Sequence, residues 1–399
     1  MQPLKIILPG RFWDSQIYSG RLMLFDLEGS LRVINWDKLI ADLDIPDDLR
    51  LAINCGFLRS DYLYGIRMQL LFEDAEVRNL IRSKFSRLGK RSLFVNDKAN
   101  DRNTVDQQDS PFPFPHADTT VYRNILYATS RSGVYYAPWG KKKKARENAI
   151  GPRERVWDCP TLSLSASYNT LALAAGGEGL YEKGLDSEFG IPSENEPTKT
   201  SPQNCIAANW LYFSVYGSSH VGDGFLADYQ MVGPQNLMQD REIKARHLKG
   251  LISADSIFKK AGYSWGAKDK IYLASESYVS AVRYNPYTEE DRLIQLGKID
   301  LKVQLGQVVS GGVALFGTII ECDKAIVVVP SDGEQILLPG EPVCWRIFPR
   351  SRFYENQLHV IYEDRLEILS FNHDYFVDQK AKLSGAKFSE PSHWRDRYR

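Results

Sequence analysis

The residue types of a hydrolase site occur together at one point of this sequence. The stretch YGSSHVGDG, residues 216–224, contains Ser219, His220 and Asp223. A nucleophile, a base and an orienting acid can cleave an ester or amide bond when their side chains face one another. Close neighbours in a glycine-rich turn seldom do so, and the Gly-x-Ser-x-Gly elbow is missing. We therefore expect no catalytic residue in this stretch.

Residues that bind metal ions are scattered along the chain. Its six histidines and five cysteines show no His-x-His, His-Glu-x-x-His or Cys-x-x-Cys spacing. The acidic stretch DLDIPDD, residues 42–48, lacks the glycine at which a calcium loop bends. We expect no metal ion and no cofactor. A catalytic carboxylate pair stays open, because the 50 acidic residues offer many combinations.

Basic residues cluster in two segments, which could contact a phosphate backbone or an acidic protein surface. One is the run WGKKKKARENAIGPRER, residues 139–155, and the other is EDAEVRNLIRSKFSRLGKRS, residues 73–92. The candidate binding residues are Lys141, Lys142, Lys143, Lys144, Arg78, Arg82, Arg87, Lys90 and Arg91. The alternative for both segments is a solvated surface. Overall, 50 basic residues balance 50 acidic ones, which disfavours a general polyanion binder.

Seven segments share one pattern: an apolar run, a short polar or glycine turn, and a second apolar run. Paired runs rich in Val, Ile, Tyr and Leu are typical of β-hairpins. The segments are Arg21–Trp36, Asn124–Trp139, Thr170–Leu185, Trp210–Tyr229, Lys270–Pro286, Gly312–Pro330 and Gln357–Asn372. From the second onward they recur at roughly 45 residues, the length of a four-stranded propeller blade. The longer first interval could hold a further degenerate blade and an inserted helix.

The glycines of AAGGEG, residues 174–179, raise the question of a phosphate-binding loop. They take the place that DLEGS and TSRSG take in two other segments, which predicts a hairpin bend. A phosphate loop would need a helix after it. The residues that follow, LYEKGLDSEFGIPSE, lack helical spacing of apolar residues and contain Gly184, Gly190 and Pro192.

The chain resembles the β-propeller superfamily, and two of its units resemble WD40 blades. A WD40 repeat ends in a strand that closes on Trp-Asp, as in GSLRVINWD with Trp36 and Asp37 and in RERVWDCP with Trp157 and Asp158. The resemblance implies an all-β fold with one propeller of seven blades, six or eight being the alternatives. It also implies that a strand near one terminus completes the last blade, and KIILPGRFW could supply it.

The predicted organisation is a propeller over residues 1–378, an insertion of a helix and a loop over about 73–118, and a basic flexible tail over 379–399. The helix has an apolar stripe at 3.6-residue spacing. The stripe consists of Val77, Leu80, Ile81, Phe85 and Leu88. Residues 95–118 are predicted to be a long mobile loop whose PFPFP could be an extended ligand, and residues 185–204 a surface loop without visible chemistry. Residues 303–320 are predicted to form two strands rather than a membrane helix.

These observations favour a non-enzymatic scaffold that binds a protein partner, within a larger assembly. Two alternatives remain: a nucleic-acid-binding subunit that uses the basic segments, and a propeller hydrolase with a central carboxylate pair. The N-terminal apolar run is too short for a secretory signal, and the odd number of widely spaced cysteines favours reduced thiols. We therefore predict a cytoplasmic protein without membrane contact.

Overall fold

Each of the seven predicted hairpins is present as two middle strands of a small sheet. The computed structural model describes residues 2–64, 66–141, 148–220, 223–232, 245–331, 334–372 and 385–389. Its strands form seven sheets, and the fold is a seven-bladed β-propeller. The alternatives of six and eight blades are thereby excluded.

The strands are numbered in chain order. The first fifteen are β1 (Leu4–Pro9), β2 (Phe12–Tyr18), β3 (Arg21–Asp26), β4 (Ser30–Asn35), β5 (Ser92–Phe94), β6 (Thr104–Asp109), β7 (His116–Tyr122), β8 (Ile125–Ser130), β9 (Gly133–Lys141), β10 (Asn148–Ile150), β11 (Glu154–Trp157), β12 (Ser163–Ser167), β13 (Thr170–Ala174), β14 (Leu180–Gly184) and β15 (Thr198–Ser201). The others are β16 (Ala207–Leu211), β17 (Ser214–Ser218), β18 (Phe225–Val232), β19 (Ala245–Ser253), β20 (Tyr263–Ala267), β21 (Lys270–Ala274), β22 (Tyr278–Tyr284), β23 (Leu293–Asp300), β24 (Val308–Ala314), β25 (Gly317–Cys322), β26 (Ala325–Pro330), β27 (Ile336–Pro339), β28 (Cys344–Ile347), β29 (Gln357–Ile361) and β30 (Arg365–Ser370).

The strands assemble blade by blade. Blade 1 is β2-β3-β4-β6, blade 2 is β7-β8-β9-β10 with β11 also paired to β9, and blade 3 is β12-β13-β14-β15. Blades 4, 5 and 6 are β16 to β19, β20 to β23 and β24 to β27, and blade 7 is β28-β29-β30-β1-β5. The chain divides into two compact units, described separately below. Unit 1 holds blades 1 and 7, blade 6 from Gly312 onward, and Lys141, Asn148 and Ala149 of blade 2. Unit 2 holds blades 3 to 5, the other described residues of blade 2, and residues 308–311 of blade 6.

Several middle strands are covered on both faces, as continuous apolar runs require. All six residues of β8 and all five of β29 are buried, whereas exposed and half-buried residues alternate along the outer strand β6. The buried side chains form separate cores within each unit. Residues 303–320 include β24 and most of β25, as predicted. Among the described residues, no helix combines the length and hydrophobicity needed to cross a lipid bilayer.

Glycines close the turns between the second and third strands of blades 1, 2 and 3. Gly29, Gly133 and Gly179 have φ angles of 84°, 118° and 104°, a region that favours glycine. A Cβ at Gly179 would lie 2.0 Å from the carbonyl oxygen of Ser201 in the fourth strand. The prediction that AAGGEG is a hairpin bend is therefore confirmed, and β14 rather than a helix follows it.

The predicted completion of the last blade by an N-terminal strand is confirmed. Strand β1 pairs antiparallel with β30 from Leu4 opposite Ser370 to Pro9 opposite Arg365. Its other edge pairs in parallel with β5. Strand β1 is therefore an interior strand of blade 7, with no open edge along the residues that pair with β5.

The long first interval contains helices instead of a further blade. They are α1 (Trp36–Ala41), α2 (Arg50–Phe57), α3 (Asp61–Tyr64), α4 (Ile66–Glu73), α5 (Ala75–Gly89) and α6 (Asp97–Asn103), with a 3-10 turn at Asp47–Leu49. A seventh helix, α7 (Ala254–Phe258), lies in unit 2. Helix α1 starts directly after β4 because the Asn35 side chain accepts a hydrogen bond from the Lys38 amide. Trp36, of the first Trp-Asp pair, is buried in α1 and donates from Nε1 to the Phe57 carbonyl at 2.7 Å.

The second Trp-Asp pair has a different place, because Trp157 ends β11, which pairs with β9 at the outside of blade 2. The helix predicted over residues 73–92 is present as α5 and begins after Asp74, whose side chain accepts from the Glu76 and Val77 amides. Its predicted stripe is wrong at Leu80, which is exposed, while Ile81, Phe85 and Leu88 are buried.

The prediction of a mobile loop over residues 95–118 is wrong. The segment contains α6 and β6, and β6 completes blade 1 by pairing with β4. Phe112 of PFPFP is buried, so this segment is not a free extended ligand. Of the predicted tail, residues 385–389 are described, and the Ala386 amide donates to Thr318 Oγ1 at 3.0 Å.

Candidate protein-interaction surface of blades 2 to 5

In each blade of unit 2 a two-residue turn joins the first strand to the second. Arg123–Asn124 joins β7 to β8, Tyr168–Asn169 joins β12 to β13, Tyr212–Phe213 joins β16 to β17, and Lys268–Asp269 joins β20 to β21. The first residue of each turn has a φ between 48° and 56°. Two-residue hairpins require such angles, for which Gly, Asn and Asp are the favoured residues. Large side chains at Arg123, Tyr168 and Tyr212 therefore occupy backbone positions that disfavour them.

The loop between β14 and β15 lies at the same end of blade 3 and has a fixed backbone. The Asp186 carboxylate accepts hydrogen bonds from the amides of Glu188 at 2.8 Å and Phe189 at 2.7 Å. The Asp186 amide donates to the Ile191 carbonyl at 2.7 Å, and the Tyr127 hydroxyl of blade 2 donates to the Gly190 carbonyl. These bonds fix a loop on which Phe189 and Ile191 point outward, 57% and 40% exposed.

A pocket of about 440 Å³ lies beside this loop. Its lining is mostly apolar, with one guanidinium and one carboxylate, and consists of Arg123, Asn124, Ile125, Pro138, Trp139, Glu188, Phe189 and Ile191. The Arg123 side chain lies 3.0 Å from the position that a Cβ at Gly190 would take, so the left-handed glycine lets the loop approach the turn. A small apolar pocket at a rigid edge can receive a partner's anchoring side chain.

Aromatic rings continue the surface across blades 4 and 5. We call Tyr168, Phe213, Tyr287 and Tyr212 the tyrosine row. Successive ring centroids are 6.5, 5.7 and 5.8 Å apart, and the ring planes meet at 84°, 77° and 75°. Phe213 is buried beneath the others, whereas Tyr168, Tyr212 and Tyr287 are 48%, 37% and 71% exposed. The edge-to-face contacts stabilise the row without covering its outer faces.

The loop and the tyrosine row are connected through one hydrogen-bonded turn. The Asn169 amide donates to the Tyr122 hydroxyl at 3.4 Å, and the Arg123 guanidinium carbon lies 5.6 Å from the centre of the Tyr122 ring. The Leu185 amide, at the start of the loop, donates to the Asn169 carbonyl at 2.7 Å. The pocket, the loop and the row thus form one surface, which we call the unit 2 surface.

Arg246, whose side chain is 10% exposed, supports the row from below. The guanidinium of Arg246 lies 4.7 Å from the Trp210 ring centre and 4.0 Å from that of Tyr229. It donates to both carboxylate oxygens of Glu182 at 3.0 and 3.1 Å, and to the Phe213 carbonyl at 2.7 Å. Stacking and bidentate pairing fix the guanidinium in one orientation. Trp210, whose ring contacts Tyr168, also donates a hydrogen bond from Nε1 to the Ser165 carbonyl at 3.1 Å.

The hydroxyls of Tyr168 and Tyr212 remain hydrogen-bond donors at neutral pH. Burial raises the pKa of Tyr168, and burial followed by the Asp269 carboxylate raises the pKa of Tyr212. An unperturbed tyrosine is already protonated at neutral pH, so a raised pKa keeps both hydroxyl groups protonated there. Together the surface offers apolar area, aromatic faces and hydroxyl groups, which are the properties of protein-binding sites.

The basic residues predicted on the helix over 73–92 belong to unit 1, and the surface described above belongs to unit 2. The Arg78 Nη1 donates to the Phe72 and Glu73 carbonyls at 2.9 and 3.2 Å, at the end of α4. Arg87 donates to Asp48 Oδ2 at 2.5 Å. Arg82 is half-buried, and Lys90 and Arg91 are exposed. Arg78 and Arg87 are thus engaged by protein groups.

The other predicted basic cluster falls mostly outside the described residues. Lys141 is the last residue of β9, and Lys142, Lys143 and Lys144 are not described. The involvement of either cluster in binding stays a prediction.

The Ser-His-Asp combination does not form a triad. Ser219 is buried and its Oγ accepts a hydrogen bond from Asn204 Nδ2 at 3.3 Å, whereas His220 is exposed. The contact recorded between His220 and Asp223 is a backbone hydrogen bond of 3.2 Å. Among the described residues, no group of three His, Cys, Asp or Glu could hold a metal ion.

Sequence reasoning missed Phe189 and Ile191, because residues 185–204 were predicted to be a loop without visible chemistry. The signal was the presence of two large apolar residues in an otherwise polar stretch, three and five positions after a turn-forming aspartate. The tyrosine row was missed for another reason. Its four residues come from three blades and become neighbours only in the fold.

No protein-family model and no curated protein sequence matches this chain. Solved structures resemble it at low identity. A computationally designed protein, Ika8, matches at 10% identity and a TM-score of 0.45, over 93% of this chain and 100% of that one. Raptor from Chaetomium thermophilum matches at 8% identity and a TM-score of 0.47, over 93% of this chain and 28% of that one.

Chaetomium thermophilum Sqt1, bound to the N-terminus of ribosomal protein L10, matches at 11% identity and a TM-score of 0.43, over 65% of this chain and 72% of that one. All three TM-scores lie below 0.5, so the assignment of the fold rests on the strand pairing of this chain. That pairing makes it a seven-bladed β-propeller.

Proposed function

We propose that this protein is a non-enzymatic scaffold that binds a protein partner through the unit 2 surface, as a subunit of a larger assembly. One observation carries the proposal: five large apolar or aromatic side chains are exposed on backbone that is fixed. They are Tyr168, Phe189, Ile191, Tyr212 and Tyr287. Exposed apolar area of this kind marks interaction sites when it is contiguous.

Rigidity supports the same proposal. Ordering flexible side chains and loops on binding costs free energy, and a preformed surface avoids much of that cost. The turn at Tyr168–Asn169 and the loop at Asp186–Ile191 are already hydrogen-bonded. The Tyr287 amide donates to Asn285 Oδ1 at 3.1 Å, which fixes the third exposed tyrosine in the same way.

Backbone strain gives a second support. Left-handed angles at non-glycine residues cost roughly 1 kcal/mol or more each. Glycine or asparagine would remove the cost at Arg123, Tyr168 and Tyr212, yet the side chains at these positions form the surface. Strain kept at exposed positions favours a role for the side chains in binding.

The experiment is copurification of the tagged chain from its native cell, as wild type and as the double variant Phe189→Ser and Ile191→Ser. We expect a partner in stoichiometric amount with the wild type and its loss with the variant. The matched control is Leu337→Ser, since Leu337 is 48% exposed in unit 1. No stoichiometric partner, or one retained by the double variant, contradicts the proposal.

Two alternatives stay predictions. Nucleic-acid binding by the basic segments would weaken steeply with added salt and disappear when Lys141 to Lys144 are neutralised. Hydrolysis by a carboxylate pair would appear as turnover in a substrate screen. The cytoplasmic location and the flexible tail over residues 379–399 are likewise predictions.

A further inference from the structure

We infer that the partner segment on the unit 2 surface is basic, with lysine or arginine residues between apolar ones. This inference rests on the proposed function and names the chemistry of the partner. It depends on the charges around Phe189 and Ile191 and on the exposed tyrosine faces.

The loop that presents the two apolar side chains is strongly acidic. Its exposed charged residues are Asp186, Glu188, Glu194 and Glu196, and the sequence has no lysine or arginine between Lys183 and Lys199. Lys183 itself is buried, and its ammonium group donates to the Asn195 carbonyl inside the loop. The loop that carries the exposed apolar residues therefore carries four exposed negative charges and no exposed positive charge.

The carboxylates of this loop have no ion pair within the described part of the chain. Backbone hydrogen bonds from Phe189 and Glu188 hold the pKa of Asp186 below its usual value, so this group is ionised at neutral pH. The one basic residue at the pocket is Arg123, whose charge acts on Asp186. The guanidinium of Arg123 acts on Asp186 and the buried ammonium of Lys183 acts on Glu196, so Glu188 and Glu194 are left to attract an approaching cation.

The tyrosine row provides a second site for cations. The faces of Tyr168 and Tyr287 are open to solvent, and Tyr287 is followed by the exposed acids Glu289 and Glu290. Glu289 pairs with Lys249 and Arg292, whereas Glu290 has no ion pair within the described residues. An arginine side chain can stack on an exposed tyrosine and pair with a neighbouring carboxylate at once.

An acidic partner would be repelled by the carboxylates of this loop. Like charges across an interface cost free energy and slow association, so the loop selects against acidic proteins and against nucleic acids. A neutral apolar segment would bury Phe189 and Ile191 but would leave the carboxylates without partners at the rim. A basic segment with apolar residues buries the two apolar side chains and pairs with the carboxylates.

The experiment selects phage-displayed random peptides on the full chain and removes those that also bind the Phe189→Ser and Ile191→Ser double variant. Selected sequences are synthesised as they stand and with every lysine and arginine replaced by glutamine. Binding is measured by fluorescence anisotropy at low and at physiological ionic strength. The test variant is E188Q, E194Q and E196Q combined. The control is D323N, E341Q and E363Q, which removes three exposed acids from unit 1 and changes net charge equally.

We expect selected peptides with a net positive charge and apolar residues. Binding should weaken roughly tenfold in the test variant and with the glutamine peptides, and little in the control. Site-dependent peptides that are neutral or acidic would overturn the inference and leave the proposed function standing. If the chain self-associates and the double variant abolishes this self-association, the surface binds a second copy of the chain. That result would also overturn the inference. No site-dependent peptide at all would count against both.

Discussion

The carboxylate of Asp14 accepts two hydrogen bonds from the guanidinium of Arg346, each 2.8 Å long. Asp14 lies in β2 of blade 1 and Arg346 in β28 of blade 7, and the aspartate is almost fully buried. The pair joins two blades whose sequences lie far apart. Removal of one member breaks this pair, and the loss of one member of a buried ion pair costs about 3 to 5 kcal/mol.

We therefore expect Asp14→Ala to lower the free energy of unfolding by about 3 kcal/mol or more, measured by urea denaturation. The control is the double variant Asp14→Leu and Arg346→Met, which removes both charges. It should be more stable than Asp14→Leu alone. A loss below about 1 kcal/mol for Asp14→Ala would show that the pair does not hold the two blades together.

The burial of His359 predicts how the free energy of unfolding depends on pH. It is fully buried, and its Nδ1 lies 3.1 Å from Ser15 Oγ. Burial lowers its pKa to about 3, against the opposing effect of the Asp14 carboxylate. The unfolded chain binds a proton near pH 6.5 and the folded chain does not, so this residue makes stability fall as pH drops from 6.5 toward 3.

The expected contribution is about 1.4 kcal/mol per pH unit over that range. Urea denaturation at several pH values gives the slope of the unfolding free energy against pH. The His359→Gln variant should lack this contribution to the slope. Equal slopes in the two proteins would mean that the histidine is protonated in the folded state.

Two glycines of one turn distinguish a hairpin bend from a ligand loop. Gly179→Ala brings a Cβ to 2.0 Å from the Ser201 carbonyl oxygen at a φ of 104°. We expect a loss of roughly 2 kcal/mol or more in unfolding free energy. A Cβ at Gly177 meets nothing within 4 Å, so Gly177→Ala should leave stability almost unchanged. Similar effects at the two positions would contradict the assigned geometry.

Arg123 allows the backbone strain at the turns of unit 2 to be tested. Arg123→Asn places a favoured residue at a φ of 48° and keeps the Cβ beside Gly190. We expect stability to be unchanged or to rise by up to about 1 kcal/mol, because asparagine adopts left-handed angles at lower cost. Thermal unfolding measures this effect. A clear loss of stability would show that the guanidinium has a structural role.

The sequence predicted the middle hairpins well because their strands are buried on both faces and are therefore continuous apolar runs. The outer strands gave a weaker signal. Residues of β6, TVDQQD, are polar because one edge and much of each face are open to solvent. Their assignment as a strand depends on pairing with β4, which no local pattern reveals.

The inserted helices could be predicted only in part. Helix α5 has 15 residues and a clear apolar face, whereas α1 to α4 have between four and eight residues each. Such short helices are stabilised mainly by packing, and α1 follows β4 without a break. The periodicity that identifies a helix is therefore too short to recognise in them.

The candidate surface was hidden for a related reason. Runs of basic residues are visible in a sequence, so the predicted binding residues were Lys141 to Lys144 and five basic residues between Arg78 and Arg91. The unit 2 surface is built from single residues on separate turns, such as Tyr168 and Tyr287. These residues become neighbours only through the packing of the blades. Of the whole surface, only the acidic loop around Phe189 is recognisable as a local pattern in the sequence.

The most direct test of the account is photo-crosslinking from the unit 2 surface in the native cell. A photoreactive phenylalanine analogue at position 189 should crosslink one partner protein, and the crosslinked site should map to a basic segment of it. The same analogue at position 337 of unit 1 should not give this product. Crosslinks at 189 that are absent, or that match those at 337, would contradict the claim that this surface binds a protein partner.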